Sequence, residues 1–290
     1  NAVDISENQV GTIIGNLSAL NLQAGETVNY ADFSISGDHA DWFEITSNGE
    51  LKLKDDIALD YENTISLELS ITGYTSEGNS LSTLAFFRVL DINEAPSFTL
   101  SNYWIEDQNS GAIVGLINVI DEDEFDSNSI TISGYDADSF EISSSGELKL
   151  KDGVTPDFAS KSDYILTITV TDAAGATHSE TVTIAVNAAP TEIILSNNSV
   201  DESHYGLEIG NINVTDPNVL DTFSYTLSGT DQNYFEVTAD GVLKLKDDVY
   251  ADYEMKDSYS LTVTATDLGG LSIEKTLTIT VNDLNYATPY

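Results

Sequence analysis

The stretch Asp91-Ile92-Asn93-Glu94-Ala95-Pro96 places two carboxylates and one side-chain amide within four consecutive residues. Oxygen atoms of this kind are ligands for hard cations, and Ca²⁺ takes about 6 to 8 of them. The stretch has no histidine or cysteine, the ligands that softer metals prefer. We therefore interpret it as part of a calcium site, whose remaining oxygen atoms must come from other elements of the chain.

This stretch joins two copies of a repeated unit. The heptapeptide Gly-Glu-Leu-Lys-Leu-Lys-Asp occurs twice, and a third copy has valine at its second position. An aromatic-acid-aliphatic triplet precedes each copy, and the heptapeptides are spaced by 97 and 95 residues. The triplets and heptapeptides stand at 43–45 and 49–55, at 140–142 and 146–152, and at 235–237 and 241–247. Because the two motifs recur together, they predict three homologous domains, with boundaries at 1–95, 96–189 and 190–290.

Each repeat has the pattern of an all-β domain. Apolar and polar residues alternate at 167–171 and 261–266, which indicates strands that are buried on one face. Turn signals such as Asn48-Gly49 separate short strands, and no amphipathic helix is evident. About 100 residues with this pattern predict a Greek-key β-sandwich. The connections between repeats are short and contain proline, so we expect the three sandwiches to form an elongated rod.

Acidic residues recur at matching positions around the first joint, between repeats 1 and 2. Glu7 lies near the first strand, Asp60-Tyr61-Glu62 follows the heptapeptide, and Asp172 follows a later strand of repeat 2. The predicted ligands at this joint are Glu7, Asp60, Glu62, Asp91, Asn93, Glu94, Asp121, Asp123 and Asp172. This set resembles the cadherin repeat, in which a first-strand glutamate, an Asp-Arg-Glu triplet, an Asp-x-Asn-Asp linker, an Asp-x-Asp pair and a late aspartate hold calcium between domains.

Two features depart from that pattern, namely Tyr61 in place of arginine and Glu94-Ala95-Pro96 after Asn93. They are similar to the cadherin-like repeats of very large bacterial surface adhesins. The resemblance implies a calcium-binding adhesion or extension module, extracellular or at the cell surface. Calcium would make the joints rigid, and further domains of the same polypeptide would follow at the C-terminal end.

The second joint, between repeats 2 and 3, has fewer acids. Alanine stands at 159, where repeat 1 has Glu62, and aligning the linkers matches Ala185 to Asp91 and Ala188 to Glu94. The predicted ligands here are Asp157, Asn187, Asp216, Asn218 and Asp267, with Glu106 or Asp107 behind them. Because calcium affinity falls as charged ligands are removed, we expect this joint to bind calcium less completely.

The outer ends of the array also differ. At the front of repeat 1 the ligand positions are occupied by Asn21, Gln23 and Gly73, so that end has no cage. Repeat 3 ends in Asp283-Leu284-Asn285, with Glu202 and Glu254 in register, which is half of a calcium cage.

The composition limits the other functions. The chain has 49 acidic and 10 basic residues, and its net charge of −39 disfavours nucleic acid and anionic membranes. It has no cysteine and no apolar run of about 20 residues, so we expect neither disulfides nor membrane insertion. The three histidines occupy unrelated positions and no catalytic motif occurs, so we predict that the protein is not an enzyme.

The alternative function is a carbohydrate- or peptide-binding module, whose partners would be surface glycans or proteins. It would need a concave site with exposed aromatic and polar groups on one repeat that the other two lack. A lysine stripe on the heptapeptide strands and the aromatic residues Trp42, Tyr103 and Trp104 are candidates for such a site. We expect the lysines to cover an outward strand face and the aromatic residues to pack.

Overall fold

The computed structural model describes residues 3–17, 22, 24–123 and 127–284. Asn21, Gln23 and Asn285, which the sequence places at the outer ends of the array, lie outside these residues. The described chain consists of β-strands and three-residue 3-10 turns, which confirms the all-β prediction. No helix in these ranges is long and apolar enough to span a membrane.

The structure divides into two compact units, of which the first comprises 1–97, 119–129 and 170–178. The described residues of repeat 1 form β1 (Val3–Ser6), β2 (Ile13–Asn16), β3 (Ser34–Gly37), β4 (Phe43–Ile45), β5 (Glu50–Leu53), β6 (Ser66–Tyr74) and β7 (Ser80–Leu90). One sheet has the strand order β1-β7-β6-β3 and the other β2-β5-β4. The first strand runs parallel to the last, and the remaining pairs are antiparallel. Between the sheets lies a core that includes Phe43, Leu53, Leu69 and Phe87.

The second unit comprises 98–118, 130–169 and 179–290. It holds most residues of the repeat 2 strands β8 (Ser97–Leu100), β9 (Trp104–Glu106), β10 (Ile113–Ile120), β11 (Ser129–Ser133), β12 (Phe140–Ile142), β13 (Glu147–Leu150), β14 (Asp163–Thr171) and β15 (Thr177–Asn187). It holds all of the repeat 3 strands β16 (Glu192–Leu195), β17 (Ser199–Asp201), β18 (Glu208–Thr215), β19 (Ser224–Ser228), β20 (Phe235–Val237), β21 (Val242–Leu245), β22 (Ser258–Thr266) and β23 (Ser272–Asn282).

Repeats 2 and 3 have the same strand orders. In repeat 2 the sheets run β12-β13-β10-β8 and β11-β14-β15-β9, and in repeat 3 they run β20-β21-β18-β16 and β19-β22-β23-β17. In repeat 3 a core that includes Phe235, Leu245 and Val263 fills the space between the sheets. The β-sandwich class is therefore as the sequence predicts, whereas the division into three domains at 95 and 189 stays a prediction.

The two motifs that define the repeat pair with each other as strands. The triplet strands β4, β12 and β20 lie antiparallel to the heptapeptide strands β5, β13 and β21, and both heptapeptide leucines are buried in each repeat. The first lysine of each heptapeptide forms ion pairs with the triplet glutamate and with the heptapeptide aspartate. Lys52, Lys149 and Lys244 thus make their ionic contacts within their own repeats, as expected for lysines that cover a strand face.

A glycine turn precedes each heptapeptide strand. Gly49, Gly146 and Gly241 have φ values of +79°, +82° and +79°, the left-handed region in which a side chain would be strained. Each donates its N–H to the carbonyl three residues earlier, at 2.9 to 3.0 Å. The Asn-Gly, Ser-Gly and Asp-Gly signals thus locate these turns correctly.

The buried side chain of Asp136 links the segment after β11 to β14 and to the residue Lys161 that precedes it. Asp136 accepts hydrogen bonds from Lys161 Nζ at 2.8 Å and from Ile165 N at 2.7 Å, and it is 8% exposed. Burial alone would raise the pKa of Asp136, but the bonds from Ile165 and Lys161 outweigh it and hold the pKa below its usual range. Asp231 accepts from Lys256 and Ser260 in the same way in repeat 3.

We predict that Asp136→Asn lowers stability at neutral pH by about 2 kcal/mol, because hydrogen bonds to a charged group are lost. A lowered folded pKa gives stability that is present above the unfolded pKa of about 3.9 and is lost as the pH falls through the folded pKa. The variant should therefore lose less stability on acidification, and the difference between the two proteins should shrink as the pH falls below the unfolded pKa. Thermal unfolding between pH 3 and 7 measures this. Asp138→Asn, which changes an exposed aspartate two residues away, should behave as wild type.

Candidate metal centre

Seven acids converge at the first joint, within the first compact unit. One carboxylate oxygen from each member of three sets lies within 4.8 Å of the other two, and Glu62 belongs to all three sets. The sets are Glu7-Asp60-Glu62, Glu62-Asp91-Asp123 and Glu62-Glu94-Glu122. The structure thus brings together six of the predicted ligands, and it adds Glu122.

Strand ends and loops position these side chains. Glu7 follows β1, the linker acids follow β7, Asp121 and Asp123 follow β10, and Asp172 follows β14. Backbone N–H groups orient the carboxylates. Glu7 accepts from Tyr61 N at 2.6 Å and from Ile92 N at 2.7 Å, so it bridges the loop before β6 and the linker.

Two contacts connect the linker to the segments after β10 and β14. Glu94 N donates to Asp123 Oδ2 at 3.0 Å, and Asn93 Nδ2 donates to Asp172 Oδ2 at 2.8 Å. Asp172 also accepts from Gly175 N and Ala176 N. The bond from Asn93, more than any other contact, holds the pKa of Asp172 below its usual range. Asn93 and Asp172 therefore lie at this joint although neither belongs to the three sets of acids.

The first joint contains carboxylate oxygens that the protein does not satisfy. Glu94 Oε2 and Asp121 Oδ2 are buried and have no hydrogen-bond donor, and neither does Asn128 Oδ1 in the segment after β10. Burial, and then the charges of Glu7, Asp123, Glu62 and Glu122, raise the pKa of Glu94 to about 7. Burial and like charges also raise the pKa of Glu62. Buried acceptors without donors are costly unless a cation satisfies them, so this donor set fits a hard divalent ion such as Ca²⁺.

A smaller cluster lies at the second joint, within the second compact unit. Carboxylate oxygens of Asp216, Asp221 and Asp267 lie within 4.8 Å of one another. Asp216 Oδ2 and Asp221 Oδ2 are buried without donors, and burial raises the pKa of both groups. This cluster also fits a calcium ion, with Asp221 as a member that we did not predict.

The other acids predicted at the second joint form no cluster of three among the described residues. Asp107 accepts from Phe158 N at 2.8 Å, as Glu7 does from Tyr61 N, so Asp107 and not Glu106 matches Glu7. Glu106 belongs to β9 and accepts from Asn109. Asp157 accepts from Ala159 N and Ser160 Oγ. Glu62 belongs to all three sets at the first joint, and alanine stands at its equivalent position, 159, in repeat 2. The second joint therefore lacks the carboxylate that links the sets at the first joint.

The structure corrects our alignment of Ala185 with Asp91. Ala185 is not a linker residue, because it lies in β15 and pairs with Trp104 in the parallel ladder with β9. Asp107 N donates to the carbonyl of Asn187, just as Glu7 N donates to that of Leu90, so Asn187 and Leu90 mark the same strand end. Asn93, however, stands three residues beyond Leu90. The second linker is therefore three residues shorter before its asparagine, and no residue there corresponds to Asp91.

The shorter linker is accompanied by direct contacts at the second joint. Asn218 donates from Nδ2 to Val186 O and accepts at Oδ1 from Ala188 N, both at 2.9 Å. The Asn187 side chain donates to Asp267 Oδ2 at 3.1 Å. A Cβ on Gly269 would lie 2.2 Å from Asn187 Nδ2, so a larger residue there would displace the Asn187 side chain. An amide at 218, where the first joint has Asp123, thus links the strand end of repeat 2 to repeat 3 without a carboxylate.

The remaining predicted features have definite places. Glu202, Glu254 and Asp283 approach within 4.8 Å at the end of repeat 3, and Glu202 already accepts from Tyr253 N and Leu284 N. Trp42 packs against the core of repeat 1 and stacks on His39, as expected. Tyr103 and Trp104 instead line a pocket of about 200 Å³ beside Asn187, Asn218 and Leu268 at the second joint.

Comparison with known proteins finds similarity to cadherins. The cadherin domain family model matches residues 196–282. Mouse cadherin-related family member 2 is 27% identical over 286 residues, covering 88% of this chain and 22% of the relative. Mouse protocadherin Fat 4 is 29% identical over 259 residues, covering 80% of this chain and 5% of the relative. The chain therefore spans less than a quarter of the length of either relative.

Among solved structures, Drosophila N-cadherin EC1-4 is 22% identical, with a TM-score of 0.49, covering 98% of this chain and 74% of that one. The family match lies within repeat 3, and the aligned part of mouse cadherin-related family member 2 covers most of the chain. By sequence, residues 196–282 are similar to cadherin domains, and most of the chain is similar to the mouse relatives.

Proposed function

We propose that this chain is a calcium-binding segment of an extracellular adhesion protein, in which calcium at the joints holds successive repeats in a fixed orientation. The observation that carries the proposal is the pair of buried, unsatisfied oxygens at each joint, Glu94 Oε2 with Asp121 Oδ2 and Asp216 Oδ2 with Asp221 Oδ2. Four such acceptors at two equivalent places are best explained by a cation that supplies their missing partner.

The residues that would hold calcium differ between the joints. At the first they are Glu7, Asp60, Glu62, Asp91, Asn93, Glu94, Asp121, Asp123 and Asp172, with Glu122 added. At the second they are Asp216, Asp221, Asp267 and Asn187, while Glu106, Asp107 and Asp157 lie outside the cluster. Calcium would bind these oxygens and neutralise their negative charge, and the loops of the protein would orient them.

The location and context of the protein are part of the same proposal. Adhesion-type cadherin domains act outside the cell, and a chain with no cysteine needs a crosslink other than disulfides there. The relatives named above come from the mouse, so membership of a large bacterial adhesin stays a prediction from the linker sequence. We also expect further domains on the C-terminal side and no catalytic activity.

Native mass spectrometry of the full chain, with calcium and with chelator, tests the proposal. We expect several bound ions, which the chelator removes and which magnesium replaces poorly, because magnesium demands octahedral geometry and is reluctant to lose water. The control is Asp91→Asn with Asp123→Asn, which should lose ions from the first joint while the circular dichroism spectrum stays that of a folded β protein. A chain that binds no calcium at millimolar concentration would contradict the proposal.

A further inference from the structure

One face of repeat 1 differs from the matching faces of repeats 2 and 3. The outward side chains of β7 include Leu84 and Phe86, which are 57% and 47% exposed, and Ile65 beside them is 61% exposed. Strand register places Leu84 opposite Ser70 and Phe86 opposite Glu68. Leu84 and Phe86 lie on one sheet face, and Ile65, which precedes β6, lines a groove together with Phe86. These exposed apolar side chains form a patch of the kind that marks an interaction site.

The same positions carry threonine in the other two repeats. In repeat 3 the equivalents of Leu84 and Phe86 are Thr276 and Thr278, opposite Thr262 and Ser260. Thr262 and Thr276 are hydrogen-bonded at 3.0 Å, and Thr167 and Thr181 of repeat 2 at 3.2 Å. Hydroxyl side chains therefore cover this face in repeat 3, and in repeat 2 they accompany one exposed apolar residue, Ile165. The pair of large apolar side chains on the last strand is specific to repeat 1.

The patch adjoins a groove of about 520 Å³ that is lined by Ile65, Ser66, Glu68, Phe86 and Arg88, among others. Arg88 is paired with another acid, because its guanidinium forms a bidentate pair with Asp4 at 2.9 and 3.0 Å. Asp38 also lines the groove, and its carboxylate accepts a hydrogen bond from Glu68 N at 3.1 Å. Among the described residues no side chain pairs with the Glu68 carboxylate. The groove therefore combines an apolar surface with uncompensated negative charge.

We propose that this groove binds a partner protein through an extended segment that presents both apolar side chains and lysine or arginine on one of its faces, at every second residue. The apolar side chains would cover Leu84, Phe86 and Ile65, and the cations would face Glu68 and Asp38. The net charge of −39 steers cationic segments toward the chain and opposes a second copy of it. Aliphatic Leu84 and Ile65 suit a peptide better than a sugar ring, which stacks on flat aromatic faces. This proposal goes beyond the calcium sites and does not rest on them.

The test uses the full chain in saturating calcium at about 0.15 M salt, where charges farther apart than about 8 Å are screened. The probe is a short synthetic peptide in which every second residue is in turn leucine, lysine, phenylalanine and lysine, with serine between them, so that one face of the extended peptide carries both kinds of side chain. One matched peptide has glutamate for lysine, and a second has serine for the apolar residues. Calorimetry should detect binding of the first peptide and at least about tenfold weaker binding of the other two. Failure of the first peptide to bind wild type would overturn the proposal.

Two variants locate the binding. Leu84→Thr with Phe86→Thr copies the pattern of repeat 3 at outward strand positions, where threonine keeps β propensity, and it should weaken binding about tenfold or more. Glu68→Gln should weaken it too, whereas Glu180→Gln, which removes the same charge from repeat 2, should not. Calcium binding and the melting temperature should stay at wild-type values in all three.

Three further results would contradict the proposal. The first is equal peptide binding by the threonine variant, which would place binding elsewhere on the acidic surface. The second is self-association in analytical ultracentrifugation that the threonine variant loses, which would make a second copy the occupant. The third is binding of a soluble oligosaccharide that the same variant loses, which would assign the groove to a sugar.

Discussion

Glu62→Ala should destabilise the protein in calcium and stabilise it in chelator. Calcium bound only by the folded state contributes RT ln(1 + [Ca]/Kd), about 2.7 kcal/mol at a hundredfold excess over Kd. Glu62 belongs to all three sets of acids at the first joint, and ligand charge tunes calcium Kd over several powers of ten. A loss of affinity on the order of a hundredfold would leave about 0.4 kcal/mol of that contribution.

The expected gain in chelator has a separate cause. Burial and the charges of Glu7, Asp91 and Asp60 raise the pKa of Glu62, so its carboxylate is unfavourable at neutral pH when no cation is bound. Thermal unfolding of wild type and variant in calcium and in chelator measures both effects. Glu180→Ala is the control for loss of one exposed acid and should follow wild type in both conditions. A variant that is less stable than wild type even in chelator would show that Glu62 serves packing and not a cation.

Two backbone amides should show that the joints depend on calcium to different degrees. Ala188 N–H donates to Asn218 Oδ1, and the equivalent Glu94 N–H donates to Asp123 Oδ2. Chelation should expose the Glu94 amide to hydrogen exchange, because the unneutralised acids around it repel one another. The Ala188 amide should stay protected, since its acceptor is a neutral side chain that also binds Val186 O.

Asn218→Ala should then accelerate exchange at Ala188 about thirtyfold, with or without calcium. The reason is the loss of two hydrogen bonds worth about 1 kcal/mol each. Asp123→Ala, the matched change at the first joint, should affect Glu94 only when calcium is present. Chelation that releases both amides equally would show that the second joint depends on calcium as fully as the first.

Internal comparison of the repeats predicts most of the first site, because the acids lie on loops that keep their position relative to buried strands. Glu62 and Asp91 follow from their distance to the heptapeptide alone, since Glu254 and Asp283 stand at the same distances in repeat 3. The same comparison could have found Asp221, which follows Asp216 by five residues as Asp126 follows Asp121. It was missed because the Asp-x-Asp pattern ends before it.

The second linker could not be aligned correctly from its own residues, because two different registers compete there. Asn187 matches Asn93 by its contact with the next repeat, but it matches Leu90 by its place in its own strand. The alternation of Val182, Ile184 and Val186, all buried, places the strand end at Asn187 and would have resolved the conflict. Proline and asparagine were the more conspicuous signals, and they report only on the following repeat.

The three residues Asp91, Ile92 and Asn93 follow the strand end at Leu90 and set the length of the linker. Extended chain covers about 3.3 Å per residue, so these residues provide about 10 Å of reach. A single deletion of this length would remove Asp91 and the room that a cation and its oxygens need. It would also let a side-chain amide of the next repeat reach the strand end directly, as Asn218 reaches Val186 O. Insertions and deletions, more than point substitutions, would then be the mutations that convert one kind of joint into the other. A long array could in this way acquire an ordered series of connections that depend on calcium strongly or weakly from one repeated domain.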